Sequence, residues 1–285
     1  MEILRADRLV KRFGKKTAVD DVSFVINVGD FIGLLGPNGA GKTTTIKMLT
    51  GLVKTDGGAI FYNGMDFVKE PIECKRLIGI VPQHSNVDRD LTAYENLYMQ
   101  AILYSIPKNE RKDRIEDTLD FAGLIEHRDI AVKTFSGGMK RRLTLIRALL
   151  HQPKILFLDE PTVGLDPQIR RSMWELILKI NQQKHTSILL TTHYIEEAER
   201  LCGKVMIIDN GKIILEGSPD QLKQGLGHFV LEEFVDDIIK EDFFDTKEEA
   251  LVSLKDCVNT CKIRESSLED VFIKLTGRRI KGINA

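Results

Sequence analysis

The sequence predicts an α/β protein whose core is a parallel sheet, and three stretches carry that prediction. Gly36 to Thr44 fits the phosphate-binding pattern G-x-x-x-x-G-K-[ST], between the apolar run Phe31 to Leu35 and a helical pattern from Thr44 to Leu49. Two further apolar runs, Ile155 to Asp159 and Ser187 to Thr192, are typical of strands buried on both faces. Open α/β sheets bind their ligands at the carboxyl ends of such strands.

The strand–loop–helix order around the glycine-rich loop is what a phosphate cradle requires. Glycine lets the backbone bend so that several N–H groups face one anion, and the helix N-terminus adds roughly half a positive charge. Lys42 would reach the β- and γ-phosphates of a nucleotide, and the Thr43 hydroxyl would hold Mg²⁺. A chance match to the four fixed positions is expected in about one chain of this length in a hundred. The predicted nucleotide-binding residues are Gly36, Pro37, Asn38, Gly39, Ala40, Gly41, Lys42, Thr43 and Thr44.

The composition is ordinary for a globular protein. The chain has 285 residues, of which 42% are hydrophobic and 29% charged, and its formal net charge is −1, which gives no electrostatic argument for nucleic acid. Its apolar runs are shorter than the roughly 20 residues that span a bilayer, and its first residues lack the apolar stretch of a signal peptide. We therefore expect a cytosolic protein that can still sit on a membrane partner.

The four cysteines lack the spacing of a zinc site. Cys257 and Cys261 are four residues apart, which would place them on one helical face, and no second Cys or His pair stands nearby. Together with Cys74 and Cys202 they are expected to be free, buried thiols.

Short apolar and β-branched pieces before the phosphate loop predict strands. Phe13, which lies among basic residues, could stack on a nucleobase, although a lone Phe is more often part of a core. After the loop, Gly57 to Gly64 predicts a strand and then a turn. Leu77 to Val81 predicts another strand, and Gln83 follows its end.

Residues 90–150 change to helical periodicity, which predicts a helical insertion. Apolar residues at i, i+3, i+4 and i+7 predict one amphipathic helix between Leu91 and Ile102, and a second helix is predicted over 108–123. The two tyrosines of the first helix are expected to belong to the core.

A third helix is predicted to begin at Ser136, which is a good N-cap. With Gly137 and Gly138, Ser136 offers a hydroxyl, free N–H groups and a positive helix end, which together could bind a second anion. An ordinary cap with flexible glycines explains the same residues. The cations that follow, Lys140 to Arg142, are expected to form a solvated face.

Polar side chains follow the two buried strands of the predicted sheet. Asp159 could hold Mg²⁺ through water, and Glu160 could polarise an attacking water; the alternative is a strand followed by an acidic turn. His193 comes after the second strand, at the same sheet edge, where it could contact a γ-phosphate. A lone His is otherwise more often structural.

The chain changes character near residue 220. An Asn-Gly hairpin over 205–215 precedes Ser218-Pro219, which predicts a helix start and marks the boundary of the main domain. We predict a main domain over 1–220, with a helical subdomain over about 84–150, and an extension over 221–285. The extension is expected to contain a strand, two helices and a basic surface tail, at Phe229 to Phe234, Lys247 to Leu254, Ser267 to Leu275 and from Arg278.

The order of these motifs resembles the ATP-binding subunit of an ABC transporter over about residues 1–220. The resemblance implies a P-loop NTPase fold with a parallel-sheet core, an antiparallel β subdomain, a helical insertion and a small α+β extension. It implies ATP as the substrate and Mg²⁺ as the cofactor. The motifs that carry it, in chain order, are Gly36 to Thr44, Gln83, Ser136-Gly137-Gly138, Asp159-Glu160, Asp166 and His193.

The resemblance also implies a role for each matched residue. Phe13 would stack on adenine, and Asp166 would belong to the nucleotide site. Gln83 would touch Mg²⁺ or the attacking water and relay to the membrane partner. Asp159 would be the metal-side aspartate, and the hydrolytic pair would be Glu160 as general base and His193 as γ-phosphate sensor.

One motif departs from the family pattern. Ser136, Gly137 and Gly138 match the family's Leu-Ser-Gly-Gly-Gln stretch, but Phe135 replaces the Leu and Met139 replaces the Gln. This variant, together with Leu268 to Gly277, resembles the exporter branch that contains daunorubicin-resistance-type, nodulation-factor and sodium-efflux ATPases.

The resemblance implies two partners and a peripheral position on the cytoplasmic face of the membrane. A second copy, or a paralogous ATPase, would join head to tail so that Ser136 of one chain caps the phosphate on Lys42 of the other. A multi-span permease would dock near Gln83 to Leu103, and no nucleic acid is expected. The alternatives are a soluble ABC ATPase acting on ribosomes or DNA, which usually carries two ATPase halves, and a plain P-loop kinase, which would not need the Ser-Gly-Gly motif.

Overall fold

The computed structural model describes residues 1–235, 238–255 and 257–277, so the basic tail from Arg278 lies outside the described residues. The strands are β1 (Glu2–Phe13), β2 (Lys16–Asn27), β3 (Phe31–Leu35), β4 (Gly57–Tyr62), β5 (Met65–Asp66), β6 (Ile78–Val81), β7 (Ile155–Asp159), β8 (Ser187–Thr192), β9 (Lys204–Asp209), β10 (Lys212–Gly217), β11 (Phe229–Val235), β12 (Ile238–Phe244) and β13 (Thr260–Glu265). The helices are α1 (Lys42–Leu49), α2 (Pro71–Arg76), α3 (Ala93–Leu103), α4 (Lys108–Phe121), α5 (Gly137–Arg147), α6 (Pro167–Lys184), α7 (Ile195–Leu201), α8 (Pro219–Gln224), α9 (Lys247–Leu254) and α10 (Leu268–Thr276).

A six-stranded sheet in the order β10-β9-β3-β8-β7-β6 forms the core. Neighbouring strands from β9 to β6 run parallel, and β10 pairs antiparallel with β9. All residues of β3, β7 and β8 are buried, because helices and the second sheet cover both faces. The predicted parallel core is therefore confirmed, and its β7–β8 register places Asp159 beside Thr191 at the carboxyl edge.

An antiparallel sheet in the order β2-β1-β4-β5 packs its apolar face on α1 and on one face of the core sheet. Its strands β1 and β2 are each 12 residues long, longer than the short pieces that the sequence predicts. The difference arises because the two strands form one hairpin, whose pairing carries polar residues on the outer face.

Helices α3, α4 and α5 form the helical insertion and pack on the other face of the core sheet. The α3 helix begins with a capping box between Thr92 and Glu95, which satisfies free N–H groups at its start. Tyr94 and Tyr98 pack against the core as predicted. Ile102, which the periodicity places on the apolar face, is instead exposed at the end of the helix.

The C-terminal residues form a third sheet, in the order β12-β11-β13, with α9 and α10. The predicted strand and two helices are confirmed, whereas α2, β12 and β13 were not predicted as such. The α10 helix buries Leu268, Val271 and Phe272 in the same apolar cluster as the helical insertion. None of the helices in the described part of the chain combines the length and the apolar character needed to cross a membrane.

The prediction for two of the cysteines is wrong. Cys74 and Cys202 are buried free thiols, but Cys257 and Cys261 are only half-buried. They do not share a helical face, because Cys257 follows α9 and Cys261 lies on β13 opposite Glu233. Each sulfur donates a hydrogen bond to a backbone carbonyl of its own segment, as free thiols do.

Candidate functional site

The phosphate loop can be built only with glycine at two of its positions. A Cβ at Gly36 would lie 2.2 Å from the Ile208 carbonyl oxygen. Gly41 has φ +113° and its Cβ would lie 2.5 Å from the Ala18 carbonyl oxygen. A side chain at either position would push the loop off the strands that support it, so the glycines hold the loop against the end of the sheet.

Lys42 is the first residue of α1 and its side chain is almost fully buried. Its Nζ donates to the carbonyl oxygens of Gly36 (2.8 Å) and Pro37 (3.1 Å), and lies 3.3 Å from Glu160 Oε1. Burial lowers the pKa of the Lys42 ammonium, and the charge of Glu160 opposes that shift. The loop thus holds a cation directly above its own backbone.

Glu160 connects the elements of this edge. Its Oε1 lies 3.3 Å from both Lys42 Nζ and His193 Nδ1, and its Oε2 accepts a hydrogen bond of 3.3 Å from Gln83 Nε2. Burial by itself would raise the pKa of Glu160, but the contacts with His193 and Lys42 outweigh it, so the pKa lies below its ordinary value. The carboxylate is therefore ionised at neutral pH, as a proton acceptor must be.

Asp159, one residue earlier, faces a different set of groups. Its Oδ1 accepts hydrogen bonds from Thr43 Oγ1 (3.1 Å) and Thr191 Oγ1 (2.7 Å). Carboxylate and hydroxyl oxygens are the ligands that Mg²⁺ prefers, so the donor set around Asp159 and Thr43 fits that ion.

A cavity of about 610 Å³ opens beside these groups. Its lining joins the phosphate loop to Glu160, His193, Gln83 and the β1–β2 hairpin. Three lining residues, Lys16, Ala18 and Val163, are not predicted from the sequence; of these only Lys16, a cation close to Phe13, carries a sequence signal. The lining residues are Phe13, Lys16, Ala18, Asn38, Gly39, Gly41, Lys42, Thr43, Thr44, Gln83, Glu160, Val163 and His193.

Phe13 is not a core residue. Its side chain is 52% exposed at the end of β1, and the Lys11 ammonium lies 5.4 Å from its ring centroid. An exposed ring at the edge of a cavity that is also lined by the phosphate loop can stack on a flat base.

The second predicted anion site is separate from this cavity. Ser136 caps α5, since its Oγ accepts from the Met139 N–H at 3.2 Å, and Ser136 and Gly137 are exposed. Asp166 caps α6 by accepting from the Ile169 N–H at 2.9 Å. Among the described residues that line the cavity, neither Ser136 to Gly138 nor Asp166 is present.

The prediction of a solvated face over Lys140 to Arg142 is wrong for Arg141. Its side chain is buried and donates to the backbone carbonyls of Gln83 and Glu160 and of the prolines next to them. Lys140 and Arg142 are partly exposed. The sequence carried no signal that separates the middle cation from its neighbours, because its acceptors lie 58–59 and 19–20 positions away in the chain.

Comparisons with known proteins agree with this geometry. Residues 19–163 match the family model described as ABC transporter. The chain is 38% identical to Nod factor export ATP-binding protein I of Ralstonia nicotianae, over 98% of this chain and 95% of that protein. It is 44% identical to Linearmycin resistance ATP-binding protein LnrL of Bacillus subtilis, over 79% and 72%.

Solved structures give the same result. An ATP-binding subunit of an ABC transporter superposes with a TM-score of 0.69 at 32% identity, over 78% of this chain and 92% of that one. A dimeric post-hydrolysis state of the ATP-binding cassette MJ0796, bound to ADP and Pi, superposes with a TM-score of 0.68 at 25% identity, over 76% and 98%.

Proposed function

The chain belongs to the ABC transporter family, and we propose that it is the ATP-binding and ATP-hydrolysing subunit of an exporter whose channel is a separate membrane permease. The observation that carries the proposal is the convergence of Lys42, His193 and Gln83 on the Glu160 carboxylate, each at 3.3 Å. Export rather than import is supported by relatives named for Nod factor export and linearmycin resistance, and by Met139 in the Ser-Gly-Gly motif.

In the proposed mechanism the chain positions ATP and a water molecule for in-line attack. Lys42 and the N–H groups of the phosphate loop bind the β- and γ-phosphates, and Phe13 stacks on the adenine ring. Glu160 accepts a proton from the water while the water oxygen bonds to the γ-phosphorus. The bond between the γ-phosphorus and the ADP oxygen breaks, and ADP leaves. His193 contacts the γ-phosphate and Gln83 orients the water, so that catalysis is positioning and charge stabilisation.

Thr43 and Asp159 would hold Mg²⁺, with Gln83 as a further oxygen donor. When bound, the ion would neutralise part of the charge that spreads over the transferred phosphoryl group. Asp159 is held for this task by Thr191, whose hydroxyl donates to it at 2.7 Å.

A second copy of this chain, or a paralogous ATPase, would complete the site. The exposed N-terminus of α5 offers an anion the Ser136 hydroxyl and the first N–H groups of the helix, which helix geometry leaves without an intrahelical acceptor. We infer that it caps the γ-phosphate held by Lys42 of the partner, with Asp166 near that interface. Closure would then require ATP, and hydrolysis would reopen the dimer.

The permease would dock beside the helical insertion. Met99, Ile102 and Leu103 share one face at the end of α3 and are exposed apolar residues, which suit a partner surface. With that docking, the protein would be a peripheral subunit on the cytoplasmic face of the membrane. The proposed ATPase domain comprises residues 1–220 and includes a helical subdomain over about 84–150. Residues 221–285 form an extension that regulates or contacts the dimer.

The test is Glu160→Gln, which removes the proton acceptor and keeps the side-chain size. ATP binding should persist, and the rate of hydrolysis should fall by roughly 100-fold or more. In the presence of ATP the variant should elute from size-exclusion chromatography as a stable dimer. Glu196→Gln is the matched control, because Glu196 is an exposed partner of Arg200 on α7. Hydrolysis by Glu160→Gln at the wild-type rate would remove Glu160 from the role of base.

A further inference from the structure

Arg141 makes a set of contacts that the proposed function does not use. It lies five residues after Ser136 on α5, about 7.5 Å along the helix axis, and its side chain is 6% exposed. The guanidinium donates to the carbonyl oxygens of Pro82 (2.7 Å), Gln83 (3.0 Å) and Glu160 (3.2 Å), and through Nε to Pro161. One side chain thus bonds both loops that carry Gln83 and Glu160.

Each of these loops needs such support. Glu160 has φ +46°, a region that non-glycine residues occupy only when their surroundings hold them there. Its N–H is fixed by Thr191 of β8, at 3.1 Å to the carbonyl oxygen, and its carbonyl is fixed by Arg141. The segment after Pro82 lies outside helices and strands, so it has no regular backbone pairing of its own.

The same face of α5 holds the rest of that segment. Thr144 Oγ1 lies 2.9 Å from Ser85 Oγ, and Arg147 Nη1 donates to the Asn86 carbonyl at 2.7 Å. Arg141, Thr144 and Arg147 are spaced three residues apart and therefore follow one side of the helix. Side chains on two successive turns of α5 therefore hydrogen-bond to the segment that begins at Gln83.

We propose that Arg141 is a positioning residue that joins the Ser136 end of α5 to the Gln83 and Glu160 loops, so that contact with the partner's nucleotide sets the geometry of the chain's own hydrolytic groups. The inference rests on the proposed head-to-tail dimer and on Glu160 as the base. Its chemical reason is the planar guanidinium, whose five N–H donors can satisfy four carbonyls at once, whereas an ammonium has three donors and no fixed plane. Burial lowers the pKa of Arg141 to about 10, which leaves it a cation at neutral pH.

The test compares Arg141→Lys with Arg142→Lys. Arg142 is the matched control, because it is the next residue on the same helix and, within the described residues, donates only a long hydrogen bond of 3.4 Å to the Ala122 carbonyl. For Arg141→Lys we expect kcat to fall roughly ten- to a hundred-fold, with the affinity for a non-hydrolysable ATP analogue within about twofold of wild type. Arg142→Lys should keep kcat. If Arg141→Lys does not fold, Arg141→Gln replaces it in the same assays.

A second measurement asks whether dimer closure at the Ser136 end of α5 changes the loops that carry Gln83 and Glu160. In the Glu160→Gln background, ATP-driven dimer closure should increase hydrogen-exchange protection over 82–86 and 160–163, and adding Arg141→Lys should abolish that increase while the dimer still forms. A kcat within twofold of wild type, a kcat loss equal to the loss of folded protein, or an unchanged gain in protection would each overturn the inference. The Glu160→Gln variant, measured without Arg141→Lys, tests the proposed function separately. ATP hydrolysis by that variant at the wild-type rate would refute the role of Glu160 whatever the effect of Arg141→Lys.

Discussion

The Lys42 ammonium lies 3.3 Å from the Glu160 carboxylate, and these side chains are 4% and 8% exposed. The cation proposed to bind phosphate and the carboxylate proposed to accept a proton therefore restrain each other. Phosphate oxygens that bind Lys42 compete with Glu160 for it. Lys42 is one of the two contacts that hold the pKa of Glu160 below its ordinary value, so binding of Lys42 to phosphate would weaken that contact.

Lys42→Ala should reduce ATP affinity by roughly 100-fold, the loss of about 3 kcal/mol from charge-assisted contacts with phosphate. Isothermal titration with ATP measures the change. Lys47→Ala is the control, because Lys47 is an exposed lysine on the same helix. Affinity retained in Lys42→Ala would contradict the assignment of the phosphate loop.

Gly137→Ala should distinguish the properties of the monomer, which are its stability and ATP affinity, from ATP-dependent dimerisation. A Cβ at Gly137 would meet nothing within 4 Å, so the melting temperature and the ATP affinity of the monomer should not change. In the proposed dimer the same methyl group would face the partner's nucleotide, and ATP-dependent dimerisation in the Glu160→Gln background should fall at least about tenfold. Gly138 is unsuitable, because its Cβ would lie 2.8 Å from the Ile169 side chain. Unchanged dimerisation of Gly137→Ala would argue that this motif does not meet the partner.

The free energy of unfolding should decrease as the pH is lowered, because His151 takes up a proton when the protein unfolds. Its Nε2 donates to the Ile78 carbonyl at 2.9 Å and its ring stacks on Tyr104 at 3.7 Å; burial lowers its pKa to about 4 against the opposing effect of that hydrogen bond. The unfolded histidine titrates near 6.5. Between those two values the unfolded state binds more protons, so acidification should cost roughly 3 kcal/mol across the window.

Urea unfolding from neutral pH down to the lower value measures this slope. His151→Gln should flatten it, because the side chain no longer takes up a proton on unfolding. Tyr104→Phe is the control, since it keeps the ring stacked on His151 and should retain the slope. An equal slope in His151→Gln and wild type would assign the proton uptake to other groups.

Asp270→Asn should destabilise the C-terminal unit. Asp270 is 2% exposed; its two oxygens accept from Arg264 at 2.7 and 2.8 Å, and one also accepts from the Ser267 N–H at 2.7 Å. An amide cannot accept this bidentate pair, so we expect a loss of about 2 kcal/mol in chemical denaturation, since Arg264 keeps Glu232 and Glu241. Asp220→Asn changes an exposed carboxylate that pairs with the half-buried Lys223, and it should change stability by less than about 0.5 kcal/mol. Equal effects of the two substitutions would contradict this account.

Local patterns were enough for the elements that place the candidate site. The apolar runs before Gly36, Glu160 and His193 predicted three buried parallel strands, since strands covered on both faces must be apolar throughout. The glycine pattern predicted the loop and its helix, and Ser136 was correctly predicted as an N-cap. Strand β12 was missed because Ile238 to Phe244 carries three charges among its apolar residues and lies at a sheet edge, where burial does not impose a pattern.

The sequence by itself determined the fold class, the phosphate loop and the residue types available at the edge of the sheet, because each depends on spacing within a few residues. The tertiary structure decided which of those residues meet. It brought Lys42 and Glu160 to 3.3 Å although 118 positions of chain separate them, and it buried Arg141 while leaving its neighbours partly exposed. Such contacts depend on how the strands order within the sheet and how α5 packs against it, which no local period in the sequence encodes.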